Sequence, residues 1–132
     1  MTRTPQSPLG DRPSVRADEV VVELPPTPDA GSLARRAVTS LDERLHPETM
    51  AKLRLLVTEL VVAALGPAQT EGLRLTVRLD GEVVRAELGP SRAGASFARP
   101  AEPRNWGLFL VDRIADRWET APDVVWFELS AR

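Results

Sequence analysis

The chain has 132 residues, is 42% hydrophobic, and carries a formal net charge of −2 with a pI near 5.5. That length suits one domain with a real core, and the charge lacks the basic excess of a general nucleic-acid binder. With no cysteine and a single histidine, His46, disulfides, a thiolate nucleophile and a transition-metal ligand set are all excluded.

Residues 1–16 hold Pro5, Pro8, Gly10 and Pro13 among polar and charged neighbours, which predicts a disordered tail before a domain over 17–132. There is no signal-peptide apolar segment and no run near the roughly 18 apolar residues that span a bilayer. A cytoplasmic protein with no membrane attachment is expected. Order is predicted to begin with a strand over 19–24, rich in valine and closed by Pro25 and Pro26. A helix starting at Asp29 or Ser32 places Leu33, Ala37, Val38, Leu41 and Leu45 along one side, and Leu45-His46-Pro47 breaks it. Pro47 suits the first turn of the next helix. There Leu53, Leu56, Val57, Leu60, Val61, Ala64 and Leu65 recur at helical spacing. Gly66-Pro67 is read as a left-handed cap followed by proline.

Leu73, Leu75, Val77 and Leu79 alternate with polar residues, and Asp80-Gly81 predicts a type I′ hairpin turn into a strand over 83–88. Residues 89–105, with three prolines and two glycines, predict a long loop of the kind that often carries function. A third helix is expected over 106–118, burying Leu108, Val111, Ile114 and Ala115 and ending at Trp118. A final strand over 124–129 follows. The order β-α-α-β-β-loop-α-β predicts a two-layer α/β sandwich. Its sheet is expected to be mixed and mostly antiparallel, with helices on one face.

Several segments, in this order, resemble the anti-sigma-factor serine kinases, a branch of the GHKL (histidine-kinase-like) ATPases. Leu24-Pro25-Pro26 with Leu33-Ala34-Arg35-Arg36 is similar to the family's opening L-P-x…A-R-R segment. Thr58-Glu59-Leu60-Val61-Val62-Ala63-Ala64 resembles its E-L-V-x-N-A helix. Gly107-Leu108-Phe109-Leu110-Val111-Asp112 with Ala115-Asp116-Arg117-Trp118 resembles G-x-G-L-x-L-V…A-D-x-W, and 125–129 its last strand. The resemblance covers about 19–130 and implies the Bergerat-type GHKL fold, with ATP and magnesium as possible cofactors.

It also assigns roles. Glu59 matches the catalytic glutamate that polarises the attacking group. Ala63 stands where the family has the magnesium-binding asparagine, four residues on and on the same helix face, and its methyl group cannot ligate a metal. The family's adenine-recognising aspartate falls at Gly89 or Pro90, and no acid occurs over 89–100. In the family's G-x-G-L motif this chain reads Asn105-Trp106-Gly107-Leu108, which loses the first glycine. The candidate nucleotide-binding residues are thus Glu59, Ala63, Asn105, Trp106, Gly107 and Leu108. No metal ligands are assigned.

Two of three recognition elements are missing and the third is altered, so the resemblance implies a degenerate ATP site. The expected function is regulation by protein–protein binding, with a sigma factor or an anti-sigma-factor antagonist as partner and a homodimer as an open possibility. The alternative is an active ATP-dependent protein-serine kinase that phosphorylates the antagonist. Trp126 alternates with Val125 and Phe127, so it should face away from the core and mark a contact surface. His46 is read as a helix cap, and Arg35-Arg36 as a solvated helix surface.

Overall fold

The computed structural model describes residues 14–15, 18–66, 69, 71–97 and 108–131. Among the described residues ten elements follow in order: β1 (Ser14–Val15), β2 (Glu19–Leu24), α1 (Ala30–Val38), a 3-10 segment (Thr39–Arg44), α2 (Pro47–Ala64), β3 (Leu73–Asp80), β4 (Val83–Pro90), α3 (Phe109–Ile114), β5 (Arg117–Ala121) and β6 (Val124–Ser130). The strands form one six-stranded sheet in the order β1-β2-β3-β4-β6-β5. Every pairing among the described residues is antiparallel, where the sequence predicted a mixed sheet.

Alternation sends one set of side chains inward from each long strand. Val20, Val22 and Leu24 (β2), Leu73, Leu75 and Val77 (β3), Val84, Ala86 and Leu88 (β4), and Val125, Phe127 and Leu129 (β6) are buried. Successive valines at 83 and 84 obscured this period in the sequence, yet β4 keeps it, with Val83 exposed and Val84 buried. Over this inner face lie α1 and α2. The stripe predicted for α2 holds, since Leu53, Leu56, Val57, Leu60, Val61 and Ala64 are all buried. The start of α2 is fixed by His46, whose Nδ1 accepts from the backbone N–H of Glu48 at 3.2 Å; this gives the histidine the capping role expected of it. Small residues Ala30, Gly31, Ala34 and Ala37 let α1 approach α2 closely. A Cβ added at Gly31 would stand 3.5 Å from both Thr58 and Val62.

Five readings of the sequence need correction. Ser14–Val15, placed in the disordered tail, pair with Val20 and Val21 as a short edge strand; residues 1–13 lie outside the described residues. The helix α2 does not end on a left-handed glycine: positive φ occurs only at Gly81 and Gly94 among the described residues. The N–H of Leu65 instead donates to Val61 and Val62. The hairpin has Gly81 and Glu82 at its centre, between the paired Asp80 and Val83. Only Gly81 has positive φ, which is the II′ pattern and not I′. The loop predicted over 89–105 begins later, because β4 runs on to Pro90, paired with Leu73; 98–107 lie outside the described residues.

The largest correction concerns the third helix. It covers only Phe109–Ile114, and Ala115 turns extended. Residues 117–121 then pair with β6 as an edge strand that the sequence reading missed. The backbone N–H of Asp116 donates to Glu128 O, and its carboxylate accepts from the N–H of Ser130, so the chain is captured by β6 before the helix can extend. Trp118 belongs to β5, half-buried, with its indole N–H donating to Asp112 at 3.0 Å.

Gly81 has open space where a Cβ would project, so only its backbone conformation requires glycine. Gly81→Ala is expected to lower stability by about 1–2 kcal/mol, with Gly81→Asn costing less; urea unfolding of both variants measures this.

Candidate functional site

The matched helix residues sit on α2, which packs against both α1 and α3. Thr58 and Val62 turn toward α1. At 100° per residue, Ala63 and Glu59 lie on the flank away from it. Both are half-buried, and Ala63 packs against the edge of the core. Among the described residues the Glu59 carboxylate makes no hydrogen bond or ion pair. Leu108 is the N-cap of α3 and is buried, contributing a core side chain at that end. Asn105, Trp106 and Gly107 lie outside the described residues. Among the described residues the helix that follows them has six residues and begins at Phe109.

The matched positions on α2 offer few oxygen ligands to a magnesium ion. Glu59 offers one carboxylate, Ala63 offers none, and no three acidic or histidine side chains come together among the described residues. A magnesium ion held by Glu59 alone would have to complete its octahedron with water and phosphate oxygens.

Of the two positions matched to the family's aspartate, Gly89 and Pro90, the first lies against neighbouring backbone. A Cβ on Gly89 would stand 2.7 Å from the carbonyl oxygen of Asp123 in the β5–β6 turn. No side chain enters that position without moving the turn. Next to it, Ser91 donates to Glu23 at 2.7 Å, while Arg92 spans both carboxylate oxygens of Glu71 at 3.2 Å. Phe97 is buried, and its N–H donates to Pro122 O at 2.8 Å. The segment after β4 is thus laced down onto its neighbours.

The outer sheet face is polar. Cross-strand register aligns Glu19, Arg78, Arg85, Glu128 and Arg117 in one row. Arg85 is its hinge: Nε donates to Glu87 at 2.7 Å and Nη1 to Glu128 at 2.8 Å. Burial alone would lower its pKa, but those two hydrogen bonds and the two negative charges outweigh burial and raise it. Trp126 faces this side, as its alternation predicted. The Arg85 guanidinium lies 3.9 Å from the ring centroid and that of Arg117 5.8 Å, a cation–π pairing on a half-buried indole. Sequence reasoning missed Arg85 and Arg117, although Arg85 opposite Glu128 becomes legible once β4 and β6 are paired.

Comparison with models of known protein families gives no match, and comparison with curated proteins gives none either. Among the described residues no helix is long and apolar enough to cross a membrane.

Two outcomes are expected. Gly89→Asp does not create a base-binding group but lowers stability by about 1–3 kcal/mol, the cost of overpacking, read by thermal unfolding with ATP present and absent. Arg85→Gln lowers stability by about 1–3 kcal/mol by stripping a charged donor from Glu87 and Glu128, whereas exposed Arg117→Gln changes it by under about 1 kcal/mol.

Proposed function

We propose that the protein is a regulatory binding module of the anti-sigma-factor kinase-like type, with the Bergerat-type arrangement and a degenerate ATP site. The observation that carries this reading is the pairing of Ala63, one turn from Glu59, with a Gly89 position that the Asp123 carbonyl closes to any side chain. In this reading Ala63 takes the place of the metal ligand, and Gly89, or Pro90 beside it, that of the base-recognising aspartate. Phosphoryl transfer depends on positioning and neutralising the phosphates, so neither loss is minor. Protein binding needs neither group.

The partner in this reading is a sigma factor or an anti-sigma-factor antagonist. Trp126 is its anchor on the open sheet face, where a large half-buried aromatic ring sits among charged neighbours. An active protein-serine kinase is the second reading, and one observation favours it: Glu59 retains a half-buried carboxylate unengaged by any described residue.

Purified chain presented with sigma factors and antagonist proteins of its own cell should bind one of them equally well with and without Mg-ATP. Trp126→Ala should weaken that binding by about tenfold or more while leaving the circular-dichroism spectrum unchanged. Failure to bind any of them sinks the binding reading. Transfer of labelled phosphate from ATP to an antagonist serine would establish the kinase reading instead.

A further inference from the structure

The spacing of Ser32, Arg35, Arg36 and Thr39 puts all four on one side of α1 and its 3-10 extension, opposite the buried Ala30, Ala34, Ala37 and Val38. Arg54 comes up beside them from α2, and the five residues line a groove of about 320 Å3. Three arginines therefore line one opening. Little opposes them. Among the described residues Arg35 and Arg36 have no carboxylate within ion-pairing distance. Asp42 reaches Arg54 only at 3.7 Å and is itself more than half exposed. A pair that long and that wet contributes little.

A second observation points the same way. The Nε of Arg54 is shut off from solvent and has no hydrogen-bond acceptor. A buried guanidinium N–H without a partner is costly, and a small reorientation of the fork toward an anion in the groove would supply one. Ser32 adds a hydroxyl at the groove wall.

We propose that this groove binds a phosphate group, as free orthophosphate or as a phosphate monoester. A doubly charged tetrahedral anion matches three cations and accepts from several forks at once, which a single carboxylate does not. The site lies on the α1 side of α2, away from Glu59 and Ala63, and stands independently of the nucleotide reading.

The test is titration of the full chain with orthophosphate, and in parallel with a phosphoserine peptide and its unphosphorylated counterpart. Arginine Nε–H resonances provide the readout, and chloride at matched ionic strength the control. Binding above the chloride control by either phosphate ligand supports the site, and the tighter of the two identifies the source. Arg54→Gln and surface-exposed Arg36→Gln should each weaken binding about tenfold, the scale of one charge-assisted hydrogen bond. Asp42→Asn should strengthen it by about threefold by removing the competing carboxylate, and Arg113→Gln on α3 should leave it unchanged. Shifts no larger than those with chloride, or equal losses in the Arg36 and Arg113 variants, overturn the proposal.

Discussion

Burial of one side of α2 against the inner sheet face positions everything else in the molecule. Leu53, Leu56, Leu60 and Val61 meet Val22, Leu75, Ala86 and Phe127 within a single apolar cluster. Truncating one such leucine typically costs about 2–5 kcal/mol, whereas an exposed ion pair contributes about 0–1 kcal/mol. The exposed ion pairs of the outer face, part-buried Arg85 aside, therefore add little, and the core supplies most of the stability. Because α2 is held so firmly, its remaining flanks are fixed too. One flank presents Glu59 and Ala63, and the other presents Arg54 to α1.

Much of this was legible from periodicity. The valine run of β2, the stripe on α2 and the hairpin of β3 and β4 were readable because each buries residues at its own period, 2 or 3.6. The third helix was misjudged for a physical reason. Leu108, Val111, Ile114 and Ala115 are helically spaced, but the edge of β6 offers a ladder that Arg117–Ala121 complete, and that tertiary pairing overrides the local pattern. Turn type also escaped, since Asp80-Gly81 reads as I′ until the pairing of Asp80 with Val83 shifts the centre to Gly81-Glu82.

The site was legible as residues but not as space. The resemblance put Ala63 at the family's magnesium-ligand position and Gly89 or Pro90 at its aspartate position. Only the fold places the Asp123 carbonyl where a side chain at 89 would go. Arg35 and Arg36 read as a solvated helix surface, and both are exposed; nothing in one dimension brings Arg54 beside them. Charge that looked dispersed along the chain is gathered between two helices.

Calorimetric titration of ATP, with and without magnesium, into the wild-type chain and the Arg54→Gln variant tests the degenerate site most directly. The proposed degenerate site predicts no magnesium-dependent binding; any weak heat comes from phosphate in the α1–α2 groove and disappears with Arg54→Gln. Micromolar binding that requires magnesium and survives Arg54→Gln would contradict it, and would place a working nucleotide site beside Glu59.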